Sequence, residues 1–359
     1  MWPFKRKSAV EPAGATAVEP AAATAVAERP VEPLADAGAA ELRAELDRLA
    51  AAGPAQRTPE TEARALTLRY LLGLRLVDEA DDAPRFAEPD TAALPTADGL
   101  PEIAAADLTP GLLRAGILRD GCLLVRGLIA RDAALQLAAG IDRSFAERER
   151  ALAGGTAAPG MYAEWDAGGR LPADAAGRDW IRQGGGVLAG DAPLLASELF
   201  ALLRHAGLDH LVEGYLGEPP LISYDKTTLR KATPDVAGAW HQDGRFMGPV
   251  RALNLWLSLS RCGDQSPGLD LVPRRLEEYV VTQTEEAMLD YVVSQSKAEG
   301  AAGERGILRP IFEPGDALLF DEKFLHKTGS DPSMPKPRYA VESWFFGASA
   351  FPEYVPLAV

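Results

Sequence analysis

The chain has only two cysteines and four histidines in 359 residues. Cys122 and Cys262 lie far apart and form no CxxC pair. That usage argues against a disulfide framework or a structural zinc site and fits a reducing, cytoplasmic setting. No apolar run approaches the roughly 18–20 residues of a membrane span, so no membrane partner is expected. The opening "MWPFKRKSAVEP" is basic but has no apolar segment behind it, and a secretory signal is not expected. Positive charge is also short: 37 Lys and Arg stand against 52 Asp and Glu, for a net charge of −15. Such a surface repels nucleic-acid phosphates, which excludes nucleic acid as the expected partner. What remains is a globular protein with 47% hydrophobic and 25% charged residues, long enough for a sizeable core.

Residues 9–33 hold a near-repeat of "AVEPAGAT" and "AVEPAAAT" with nothing larger than valine to bury. Residues 1–37 therefore read as a disordered tail rich in Ala, Pro and Glu. Residues 38–100 read as a helical segment and linker. "AELRAELDRLA" is one helix, and "TPETEARALTLRYLLGLRLVDEA" is a second, with Thr58 as cap and Pro59 in the first turn. This pair is free to dock on the main domain or to join a second subunit, and docking is the expectation. Helices and one strand, "CLLVRGLI", follow. Pro193 opens another helix, "PLLASELFALLRHAGLDHLVEGYLG", on which His205 and His210 are five apart and so do not share a face.

From residue 221 onward the pattern is strand-like. In "RALNLWLSLS" Leu253, Leu255, Leu257 and Leu259 alternate with Asn254, Trp256, Ser258 and Ser260. One face is aliphatic and packs on a layer; the other is polar and aromatic and suits the inside of a barrel. Helices first and strands after give an α+β chain whose main domain, 101–350, ends in a sandwich or barrel. Residues 351–359 read as a C-terminal tail.

In "GAWHQDGRF", His241 and Asp243 are two apart and share a face if the segment is extended. The other histidine of the strand region is His326, in "EKFLHKTGS". Two histidines and one carboxylate are the facial donor set of non-haem Fe(II) oxygenases, which leaves positions open for a 2-oxo acid and O₂. A distal carboxylate on that acid needs a fixed cation, and Arg338, at the start of the next strand, can supply a bidentate fork. Thr328, two after His326, can add a hydroxyl. Between Lys226 and Arg275, eight basic residues stand against four acidic ones. This local excess is either scattered surface charge or a pocket for an anion, with Lys226, Lys231, Arg245 and Arg274 as candidates.

The segments "WHQDG", "NLWLSLS", "SPGLDLVP", "PGDALLFDEKFLHKTG" and "PRYAVESWFF" together resemble the phytanoyl-CoA dioxygenase-like family of Fe(II)- and 2-oxoglutarate-dependent oxygenases. "DLTPGLLRAGILRDGCLLVRGLI" is similar to that family's opening helix and strand, so the resemblance spans about residues 105–347. It implies a double-stranded β-helix (a jelly-roll, cupin-like barrel) flanked by helices. It implies Fe(II) on His241, Asp243 and His326, with 2-oxoglutarate and O₂ as cosubstrates. It implies Arg338 and Thr328 at the distal carboxylate, Trp256 beside the cosubstrate, and Thr227 near it. Asp243 marks a hydroxylase rather than a halogenase, in which a small residue replaces the carboxylate. The chain departs from the pattern at "VPRRL" (272–276), where relatives carry Pro-Gly-Ser-His, on the substrate side. The expected function is hydroxylation of a C–H bond in a small, anionic-leaning organic molecule. The alternatives are an inactive β-helix scaffold that binds partners through its N-terminal helices, and a non-oxidative metal enzyme of cupin type.

Overall fold

A computed structural model describes residues 34–51, 57–81, 83–95, 99–167, 169, 177–235, 238–248, 250–284, 287 and 289–359. The tail expected over 1–37 thus falls, as far as residue 33, outside the described residues. The α-helices are α1 (Ala39–Ala50), α2 (Pro59–Asp78), α3 (Pro110–Asp120), α4 (Arg131–Leu152), α5 (Arg178–Gln183), α6 (Pro193–His205), α7 (Leu208–Leu216), α8 (Gly244–Met247) and α9 (Gln295–Ala302). The strands are β1 (Glu102–Ala104), β2 (Cys122–Arg126), β3 (Gly186–Leu188), β4 (Pro220–Ser223), β5 (Thr228–Ala232) and β6 (Ala252–Ser258), followed by β7 (Gly268–Leu271), β8 (Ala317–Phe320), β9 (His326–Gly329), β10 (Arg338–Gly347) and β11 (Pro356–Ala358).

Most of these strands join one sheet in the order β1-β2-β8-β6-β10-β4-β11, with β5 also on β10 and β3 on β5. β7 and β9 form a second, two-stranded sheet. The long β10 organises the first sheet. It holds β6 along one edge, and β5 and then β4 along the other.

Period-two alternation in β6 and β10 sorts the core into two layers. Leu253, Leu255 and Leu257 share a face with Val341 and Phe345, and pack against helical residues such as Leu113, Ile141, Leu199 and Val212. Each of the three β6 leucines is fully buried and contributes about 1.5–3 kcal/mol. The opposite face carries Trp256, Ala340, Trp344 and Phe346, with Phe320 from β8, and meets Leu269 and Leu271 of β7. Helices thus cover one side of the large sheet and the small sheet covers the other. The expected mixed α and β content is observed.

Local chemistry sets the element ends. Thr109 accepts the Leu112 N–H at the start of α3, where Pro110 occupies the first turn. Gly121, at φ +85°, closes α3 in the left-handed region and releases the chain into β2. Gly207 does the same at φ +68°, so His205 and His210 fall on two helices rather than one. The expected single helix overlooks that glycine.

The boundaries expected near residues 100 and 350 are not domain boundaries: Gly38–Val359 forms one compact unit. The helical pair belongs to it because the buried face of α2 is used within the chain. Arg69 is buried and donates to the Ala358 carbonyl at 2.7 Å, with its guanidinium 3.9 Å from the centre of the Phe200 ring. The segment 351–359, expected to be a tail, carries β11, which pairs antiparallel with β4. That pairing sets Pro356 opposite Ser223 and Ala358 opposite Leu221, far apart in the chain, and no local pattern in three residues announces it.

Gly73 fixes how closely α2 meets β11, because a Cβ there would lie 2.6 Å from the Pro356 carbonyl oxygen. Gly73→Ala is expected to lower stability by about 1–3 kcal/mol, read from urea denaturation, although alanine favours a helix. Equal or greater stability would mean that the helical pair is not seated on β11.

Candidate metal centre

His241 and His326 exchange both backbone hydrogen bonds. His241 N–H donates to the His326 carbonyl at 3.0 Å, and His326 N–H donates back at 3.2 Å. In an antiparallel pair, residues directly opposite each other project to the same side. The two imidazole rings accordingly lie 4.5 Å apart, centre to centre. Asp243 arrives by a different route from the one alternation suggests. The chain leaves the extended conformation after His241, and Asp243, at φ −60° and ψ −30°, is the residue from which α8 starts. Gln242 holds this turn: its buried side chain donates to the Lys323 carbonyl at 2.6 Å and accepts the Val280 N–H at 2.8 Å.

The outcome is a three-donor cluster. Donor atoms of His241, Asp243 and His326 all lie within 4.8 Å of one another. His241 Nε2 is 3.9 Å from one Asp243 oxygen, and His326 Nε2 is 3.6 Å from the other. Each ring has its Nδ1 against a backbone carbonyl, Ala239 at 2.7 Å and Phe324 at 3.0 Å. A carbonyl accepts only, so Nδ1 carries the proton and both Nε2 lone pairs point at the cluster. That is the tautomer a divalent metal needs, and the backbone fixes it. Phe320 flanks His326, their ring centres 4.8 Å apart.

Arg338 enters from the large sheet. It is 2% exposed, and its Nη1 donates to the Gly268 carbonyl of β7 at 3.0 Å. Gly268 pairs with Gly329, next to Thr328, so the guanidinium reaches the small sheet one register position from that threonine. Its Nε is buried without a hydrogen-bond partner, as are Trp256 Nε1, Asn254 Oδ1 and Thr228 Oγ1. The guanidinium carbon of Arg338 lies 5.4 Å from the centre of the Trp256 ring. Thr227 does not join this group. Its hydroxyl donates to the Ser223 carbonyl at 2.7 Å, and Thr228, opposite Glu342 and hence on the Trp256 face, carries the open hydroxyl.

Two residues not singled out from sequence complete the interior. Glu342 lies four after Arg338 and therefore on the same face of β10. A lone carboxylate in the otherwise apolar "AVESWFF" was its readable sign. Arg230 Nε donates to it at 3.0 Å and Nη1 donates to the Gly184 carbonyl at 2.8 Å. Burial pushes the Glu342 carboxyl up, but Arg230 and Arg338 outweigh it and hold the group below its ordinary value. Of the four suggested anion contacts, Lys231 pairs with Asp142 at 2.5 Å, Arg245 donates to the Val280 carbonyl at 2.8 Å, and Arg274 is exposed. Lys226 lies with its ammonium 4.9 Å from the centre of the Phe246 ring.

No family model matches the chain. Over 155 residues it is 27% identical to the L-proline trans-4-hydroxylase of Streptomyces griseoviridis, an alignment covering 38% of this chain and 58% of that protein. The chain thus spans little more than half the length of this curated relative. Among solved structures, EctD from S. alaskensis with 2-oxoglutarate and 5-hydroxyectoine is 18% identical, with a TM-score of 0.49 over 77% of this chain and 86% of EctD. SnoN, a non-haem α-ketoglutarate-dependent epimerase from nogalamycin biosynthesis, is 18% identical, with a TM-score of 0.40 over 66% of this chain and 80% of SnoN. No helix among the described residues is long and apolar enough to cross a membrane.

Burial and the facing His241 push the His326 imidazole down to about 4. In the unfolded chain a histidine takes up its proton near 6.5. The metal-free native state therefore loses stability as pH falls from above 6.5 towards 4. Between pH 7 and pH 5 the loss from this residue is about 2 kcal/mol. Urea denaturation of metal-free protein at the two pH values should show that component, and His326→Asn should lack it. An equal pH dependence in both proteins would contradict it.

Proposed function

We propose that the chain is a non-haem Fe(II)- and 2-oxoglutarate-dependent dioxygenase of the phytanoyl-CoA dioxygenase-like kind, built on a double-stranded β-helix. Its reaction is hydroxylation of a C–H bond in a small organic molecule. The observation that carries this reading is the donor set: two histidines with Nε2 turned inward by backbone carbonyls, and one carboxylate facing both. Partial similarity to a protein named as an L-proline hydroxylase supports it. Fe(II), 2-oxoglutarate and O₂ are the cofactors of this enzyme class.

The residues fit that metal. Two neutral imidazoles and a carboxylate suit Fe(II), and three donors leave room on the ion for other ligands. When bound with 2-oxoglutarate and O₂, the iron supplies an oxidant able to take hydrogen from a C–H bond. The chain's own residues bind and orient. Arg338 is a buried cation whose Nε is open, and it receives the distal carboxylate. Thr328, one register position away, adds a hydroxyl. Trp256 and Thr228 turn unsatisfied donors to the same interior face, and Trp256 and Phe312, with rings 4.7 Å apart, keep water from it. Glu342 and Arg230 neutralise one another there, so that Arg338 remains the cation offered to the cosubstrate. Scaffold activity through the N-terminal helices gains no support, because the buried side of α2 packs within its own chain.

Anaerobic addition of Fe(II) and 2-oxoglutarate to the metal-free protein should give the weak visible charge-transfer band of the chelate. His326→Ala should abolish it. Arg338→Lys should raise the 2-oxoglutarate concentration required by about 10- to 100-fold, the loss of one charge-assisted bidentate contact. A band that survives His326→Ala unchanged would overturn the assignment.

A further inference from the structure

The oxygenase reading uses Arg338 at the start of β10 and leaves a carboxylate further along the same face. Glu342 lies opposite Trp256 of β6 on one side and opposite Thr228 of β5 on the other. Four residues separate it from Arg338, about 13 Å along the strand at the usual rise. The row Trp256–Glu342–Thr228 therefore crosses three strands on the interior face, past Arg338. It is near enough to the candidate metal centre for the Glu342 charge to be felt at His326.

The two carboxylate oxygens of Glu342 are not used alike. Arg230 takes Oε2, with its Nε and Nη2 both 3.0 Å away. Oε1 receives no hydrogen bond among the described residues. Arg230 does not turn to it, because its Nη1 is held by the Gly184 carbonyl at 2.8 Å. Beside Glu342 the Thr228 hydroxyl is buried and has no partner either. Burial works against the charged form of Glu342, but Arg230 and Arg338 hold the group ionised. An ionised carboxylate offers about four acceptor positions, and Arg230 fills only one side. The rest is within reach, since 23% of the Glu342 side-chain surface is open.

We propose that Glu342 is a specificity-determining residue: its Oε1, with the Thr228 hydroxyl beside it, binds the amino group of the primary substrate. The proposal rests on the oxygenase reading, which makes that ligand the substrate. An ionised carboxylate accepts and never donates, so its ligand must bring a donor. A cationic nitrogen makes the charge-assisted, stronger form of that bond. Arg230 sits on the other oxygen of the same carboxylate, however. A bare amine would meet that guanidinium, and Arg338 further along, as like charges. A molecule with a carboxylate of its own offsets the repulsion. The substrate class is therefore a small zwitterion, an amino or imino acid whose nitrogen faces Glu342.

The test uses the full chain loaded anaerobically with Fe(II) and 2-oxoglutarate. The probes are the proteinogenic amino acids, each beside the matching acid that keeps the carboxylate and lacks the nitrogen. The readout is perturbation of the visible band during titration. At least one amino acid should bind about 10- to 100-fold more tightly than its nitrogen-free partner, the worth of one hydrogen bond to a charged group. Glu342→Gln should bring that ratio close to one. Thr228→Val removes a hydroxyl that bonds nothing among the described residues, so it leaves folding intact. It should lower the ratio by about 2- to 10-fold. The proposal is overturned if no amino acid outbinds its nitrogen-free partner, or if Glu342→Gln discriminates as the parent does. Should Glu342→Gln fail to fold, an unchanged ratio in Thr228→Val overturns it. Failure of the parent protein to form the band at all would instead remove the oxygenase reading, and the proposal with it.

Discussion

Everything in the candidate metal centre depends on one pair of backbone hydrogen bonds, those exchanged between His241 and His326. They join segments 85 residues apart and put two imidazoles side by side without any side-chain contact being required. A carbonyl behind each ring then decides which nitrogen bears the proton. The cluster is thus pre-set by main-chain geometry. Asp243 needs more help, since it stands on a turn. That help comes from the amide of Gln242, which bridges the 279–280 loop and the segment before β9.

The large sheet serves as a partition. Its helix-facing side is mainly apolar, Ser343 and the Lys231–Asp142 pair apart, with the transfer energy of buried leucine behind it. Its other side carries arginine, glutamate, asparagine, threonine and tryptophan in a layer with aromatic packing. Burying so many polar groups is unfavourable in itself, and several atoms there have no hydrogen-bond partner among the described residues. A site that holds back hydrogen-bonding capacity in this way is suited to a charged small molecule that supplies the missing partners.

How much of this was legible in the sequence depended on range. The alternation of β6 could be read because both its faces are written in seven consecutive residues. The three donors could be read because histidine is rare and its spacing to Asp243 is local. Arg338 stood out through its position at a strand start. What could not be read was set by contacts across the chain. Thr227 ends the turn Tyr224–Lys226 and bonds back to Ser223, while Thr228 begins β5, and two adjacent threonines show no sign of where turn gives way to strand. Gln242 has no sequence sign, since its partners are backbone groups near residues 280 and 323. The strand at 356–358 exists because β4 and α2 are waiting for it, and three residues show no period of their own.

The docking of residues 354–358 bears on how the protein comes into being. Val355 bonds to Tyr224 and Asp225, Tyr354 stands by Lys226, and β11 closes the edge of β4. These residues follow His241, Asp243 and His326 in the chain, so they are synthesised after them. A chain cut short before Tyr354 would leave the outer edge of β4 unpaired and the Gly73 side of α2 uncovered.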